Sequence, residues 1–121
     1  ICLTMSLNAG NVNILDRQAF ATMAQRPIII NVSRGQMIDE QALIEALDNG
    51  RVFGAGLDVL VEDSDEYIAS SPLVGRDNVI ITPHAAFYSD FSMQENQRIG
   101  VSNLVNILTG NLNDVTRIVT A

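Results

Sequence analysis

Three residues whose chemistry suits catalysis stand at the ends of three hydrophobic runs. Arg34 follows PIIINVS, Asp58 follows RVFGAGL, and His84, the only histidine in the chain, follows NVIITP. A guanidinium can clasp a carboxylate through two parallel charge-assisted hydrogen bonds. An imidazole exchanges a proton near neutrality. A carboxylate set in an apolar strand, as Asp58 is, needs donors, either backbone amides or the amide or hydroxyl of a ligand. Glu62 and Asp63 open an acidic loop, and a carboxylate beside His84 would favour the imidazolium, which suits proton donation to a developing alkoxide. If the three runs are neighbouring parallel strands ~4.8 Å apart, their carboxyl ends share the rim where ligands bind in open α/β folds. That arrangement points to an enzyme acting on a small anionic substrate.

The elements needed to build such a rim can be read along the chain. Residues 1–7 are apolar enough for a buried strand. Asp16 is a helix N-cap candidate, with Phe20 and Met23 at helical spacing and Pro27 as a stop. Ile28 to Val32 is a β-branched run of the kind covered on both faces of a sheet. Asp39 can cap a second helix that buries Ala42, Leu43, Ala46 and Leu47, and Asn49-Gly50 ends it. Val52 to Leu60 reads as the next strand, with Gly54 and Gly56 marking close backbone approach. A loop of about 18 residues follows, long enough to suggest function. Val79 to Ile81 is a further strand closed by Pro83. A long helix is predicted from about Ser89 to Leu108, with Val101, Leu104, Val105 and Leu108 on one face and Gly110 after it. The tail from Asp114 has a short β-prone patch. Alternating strands and helices imply right-handed crossovers and a parallel sheet, an α/β protein or part of one.

Composition excludes several other classes. The 121 residues suit one domain, and 47% hydrophobic with 17% charged residues suits a packed core. No apolar run approaches the ~20 residues of a membrane helix, so no membrane partner is expected. The formal charge of −7, without any basic cluster, argues against nucleic acid. Cys2, the single cysteine, reads as a buried, unreactive thiol in a reducing, cytoplasmic setting. Gly54-Ala-Gly56 is not a phosphate loop, because it lies inside a strand, lacks a third glycine and precedes no helix. No metal site is expected. Gly35 is expected to make a tight turn after Arg34. The chain opens on Ile1, already in a strand-like run, and so looks like a piece of a longer protein.

The stretch NVSRGQMIDEQALIEALDNGRVFGAGLDV, then SSPL, then NVIITPHAAF resembles the NAD-dependent D-isomer-specific 2-hydroxyacid dehydrogenases. The likeness runs from Ile1 to about Thr116, with three separated motifs in family order. It implies the C-terminal half of a Rossmann-like doubly wound parallel sheet over residues 1–86. Residues 87–121 would form a long helix and tail leading back to a substrate domain. It also implies NAD as cofactor, a small 2-keto or 2-hydroxy acid as substrate, and a homodimer.

Carried over residue by residue, Arg34 would bind the substrate carboxylate and His84 would be the acid/base. Val32, Ser33, Arg34, Asp58, His84, Ala85 and Ala86 would line the cofactor's nicotinamide end. The family's acidic partner of the histidine is a Glu, and here Asp63 stands at that position with Glu62 one residue earlier, so either can serve. Ser6 stands where the family usually has Pro, and Thr4 and Asn8 also depart from it. PHAAFYS is similar to versions in D-lactate dehydrogenases and in phosphoglycerate-dehydrogenase-like proteins, and it does not choose a substrate. An NAD-sensing, corepressor-like binding module is the alternative reading. On either reading, the 121 residues alone are expected neither to bind NAD tightly nor to turn over substrate.

Overall fold

In the computed structural model, which describes residues 1–116, the apolar runs become four short strands. These are β1 (Cys2–Leu3), β2 (Ile28–Asn31), β3 (Gly54–Leu57) and β4 (Val79–Ile81). All are parallel and lie in chain order, β1-β2-β3-β4. Asn31 pairs with Leu57, and Leu57 with Ile81, so β2, β3 and β4 end level with one another. Helices α1 (Arg17–Ala21) and α2 (Glu40–Asp48) fall between the strands, with α3 (Asp65–Ser70) between β3 and β4. This is the α/β, Rossmann-like parallel sheet expected. The described chain divides into two compact units, Ile1–Ala86 and the residues from Phe87 onward.

Local chemistry explains where the helices begin. Asp16 accepts from the Ala19 amide at 2.8 Å and Asp39 from the Ala42 amide at 3.0 Å. Ser64 and Ser89 do the same for Tyr67 and Ser92. Each satisfies a first-turn amide that has no partner inside its helix. Ala42, Leu43, Ala46 and Leu47 of α2 are buried, as the spacing predicts. Gly50 ends that helix at φ +73°, a left-handed conformation that glycine adopts freely. Ile29, Leu43 and Leu57 meet in the core beneath the sheet. Each such side chain contributes about 1.5–3 kcal/mol by leaving water.

Several expectations are corrected. The strand read over residues 1–7 contains only Cys2–Leu3, and Cys2 is exposed rather than buried, because it alternates with buried Leu3. The strand read over Val52–Leu60 contains only Gly54–Leu57. The long loop after it is not structureless, since its Ser64-capped stretch folds into α3. Among the described residues β2 is covered on one face only, with Ile28 50% and Ile80 of β4 71% exposed. The tight turn expected at Gly35 is present as a single 3₁₀ turn, Gly35–Met37, and the missing side chain also leaves room for the Leu60 carbonyl, which would lie 1.9 Å from an added Cβ. At Gly54 the Asn78 carbonyl makes the close backbone approach expected, whereas at Gly56 the close neighbour is the Ile30 side chain rather than backbone.

In the second unit, helix α4 (Asp90–Leu108) begins at Ser89 and stops before Gly110, as read. Its apolar stripe of Val101, Leu104, Val105 and Leu108 is exposed. The tail's β-prone patch falls largely beyond residue 116, outside the described residues.

Candidate active site

The level ends of β2, β3 and β4 bring the segments 32–34, 58 and 82–86 to one rim of the sheet. The first segment leaves β2 through a turn built on Asn31. That side chain accepts from the Ser33 amide at 3.0 Å and donates to the Arg34 carbonyl at 2.9 Å. Ser33 is buried, and its hydroxyl donates to the Met5 carbonyl, so the side chain is committed to the scaffold. Arg34 is exposed, and one guanidinium N–H donates to the Ser33 carbonyl at 2.7 Å. Its other N–H groups have no protein partner among the described residues.

Asp58 is 5% exposed, and three donors from the segment after β4 fill its carboxylate. One oxygen accepts from the Thr82 hydroxyl and from the Ala85 amide at 2.9 Å, and the other accepts from the Ala86 amide at 2.8 Å. Burial is the largest single influence on this carboxyl and raises its pKa. The bonds from Thr82, Ala86 and Ala85, with the charge of His84, outweigh it, and the net shift is downward. Backbone amides thus satisfy the residue for which a ligand was the sequence-level alternative.

The segment that Asp58 holds carries His84 in a left-handed backbone conformation, φ +52°, which is uncommon for a residue with a side chain. The His84 amide reaches back across Pro83 to the Thr82 carbonyl at 2.9 Å. The imidazole Nδ1 lies 2.8 Å from an Asp63 oxygen. Glu62 instead accepts from the Ser64 hydroxyl at 2.7 Å. Of the two acidic candidates, Asp63 is therefore the one on the histidine. Glu40 steadies the loop that carries it, accepting from the Val61 amide and from the hydroxyls of Tyr67 and Ser71. Burial first, and then the Glu40 charge, raise the Tyr67 pKa and keep its proton on that bond.

Beside these groups lies an open cavity of about 310 Å³. Its floor is Ile30, Gly56 and Ile80, and its rim includes Val32, Asp58, Thr82, Ala85 and Ala86. Small side chains and an apolar floor suit a flat ring. Ser33, Arg34 and His84 do not line it. Sequence reasoning missed Asn31 and Thr82, although a polar residue at the end of a β-branched run is a readable signal for the first. Among the described residues, no cluster of His, Cys, Asp and Glu could hold a metal, and no helix is long and apolar enough to cross a membrane.

The family described as D-isomer specific 2-hydroxyacid dehydrogenase, NAD binding domain, matches residues 1–86. The chain belongs to this family. A relative, the glyoxylate/hydroxypyruvate reductase B of Serratia proteamaculans, is 36% identical over 114 residues, covering 94% of this chain and 34% of the relative. The chain thus spans about a third of the length of the curated relatives it matches. The solved D-lactate dehydrogenase with NAD+ from Lactobacillus jensenii superposes with a TM-score of 0.86 at 29% identity, over 99% of this chain and 39% of that one. An acyclic imino acid reductase in complex with NADPH and D-Arg gives 0.80 at 34% identity, over 90% and 34%.

Proposed function

We propose that the full-length protein containing this chain is an NAD(H)-dependent oxidoreductase that interconverts a small 2-keto acid and its D-2-hydroxy acid. Residues 1–86 would be the later half of its nucleotide domain, and the residues from 87 onward would lead to the substrate domain. The observation that carries the reading is the His84–Asp63 pair on the same sheet rim as the exposed Arg34.

In this reading the Arg34 guanidinium holds the substrate carboxylate through parallel N–H bonds and so turns the 2-keto group toward His84. Asp63 accepts the Nδ1 proton, which fixes the ring and leaves Nε2 for the substrate oxygen. During reduction, Nε2–H gives its proton to the carbonyl oxygen as negative charge gathers there. During oxidation, the neutral Nε2 takes the hydroxyl proton. A nicotinamide cofactor would supply the other half of the chemistry, giving hydride to the carbonyl carbon in reduction or accepting it from the carbinol carbon in oxidation. Val32, Ala85 and Ala86 would line its ring pocket. Ser33 and Asp58 would contribute by shaping the backbone, since hydrogen bonds within the protein already engage their side chains.

Loss of NADH absorbance with glyoxylate, hydroxypyruvate and pyruvate tests the reading in the full-length protein. His84→Ala should lower turnover by about 10²–10⁴-fold with NADH affinity retained, the usual contribution of a positioned acid/base. A fully active variant would remove His84 from the mechanism.

A further inference from the structure

We infer that Asn31 is a positioning residue for Arg34, acting through the turn that joins them; the inference rests on the carboxylate-binding role proposed for Arg34. Asn31 is the last residue of β2 and is 0% exposed, so no substrate atom reaches it. Both ends of its amide are used within the next three residues, by the Ser33 N–H and the Arg34 carbonyl. Its own carbonyl accepts from the Asp58 amide at 2.9 Å, so the same residue ties the end of β2 to the clamp that holds the His84 segment.

The peptide units on both sides of Arg34 are therefore pinned. The Arg34 carbonyl receives the Asn31 amide and the Met37 N–H, while the Ser33 carbonyl receives the Arg34 guanidinium. Only a side chain with one donor and one acceptor at this length makes both turn bonds. Aspartate lacks the donor, leucine lacks both groups, and glutamine displaces both by a methylene. Two parallel bonds to a carboxylate demand a well-aimed guanidinium, and an error of about 1 Å at such a site can cost roughly 10²-fold in rate.

The test compares Asn31→Asp and Asn31→Ser with the parent in the full-length protein at saturating NADH. KM for the 2-keto acid should rise and kcat fall, together lowering kcat/KM about 10- to 100-fold, with NADH affinity nearly unchanged. This loss should vanish in an Arg34→Ala background, where there is no guanidinium left to aim. A merely structural amide would lower Tm and the active fraction equally in both backgrounds and leave KM alone, which would overturn the inference. Loss of NADH binding by both variants would overturn it too, since Asn31 would then be a fold stabiliser. A parent without turnover on any keto acid refutes the proposed function instead. The inference is then decided by NMR titration with pyruvate, in which the Arg34 Nε–H resonance must shift in the parent and fail to shift in Asn31→Ser; equal shifts in both would overturn it.

Discussion

Asp58 and His84 both stand just beyond the ends of adjacent strands, yet their surroundings differ. Asp58 is 5% exposed with both oxygens filled by hydrogen bonds, whereas the side chains of His84 and its partner Asp63 are 43% and 50% exposed. Asn31 and Arg34 repeat the contrast on β2, one fully buried and the other exposed. The rim thus combines buried polar groups that shape its turns, Asn31 and Asp58, with exposed ones that those turns present, Arg34 and His84. Polarity at a sheet rim does not by itself mark a group that meets substrate; its free lone pairs and protons do.

The sharpest way to break this division is to damage the buried half. Gly35→Ala should destabilise the fold by about 3 kcal/mol or more, read as a lower midpoint in urea, because the new Cβ meets backbone rather than a flexible side chain. Wild-type stability would mean that the turn after Arg34 is looser than described.

Asp58→Ala should cost about 1–3 kcal/mol by stripping three donors of their acceptor. This contribution depends on pH in a definite direction. The folded-state pKa of Asp58 is depressed, so its stabilisation is complete above the unfolded value of about 3.9 and fades as pH falls through the folded value. Denaturation of the two proteins should differ by a constant amount at neutral pH and converge in acid. A gap that widened in acid would contradict the assigned bonds.

The exposed half should behave oppositely. Asp63→Asn should change stability by less than about 1 kcal/mol, because a solvent-exposed pair contributes little. Under the proposed function the same variant lowers turnover. A large drop in Tm without loss of activity would place Asp63 with the scaffold.

Much of this was legible beforehand, and what was not has physical causes. The buried side of α2 follows from residues repeating at helical spacing, and the caps at Asp16 and Asp39 follow from side chains that accept amides. The order and direction of the strands follow from the alternation of strands and helices. The extent of β1 and β3 was misread, since apolar residues continue past the last ladder bond. Helix α3 was missed because its segment buries no residue and leaves no apolar period to read. Gly35 and Asn31 owe their roles to partners at Leu60, Ser33 and Arg34, and such pairings appear only once the chain is folded. The choice between Glu62 and Asp63 was likewise open until the loop had a shape.

The left-handed backbone at position 84 restricts which replacements the site tolerates. Valine, isoleucine or threonine would crowd their branched carbons against the chain there, whatever their chemistry. Asparagine, which visits that conformation readily, would keep the path of the chain while holding no proton that titrates near neutrality. Variation at this point is therefore filtered first by shape and only afterwards by acidity.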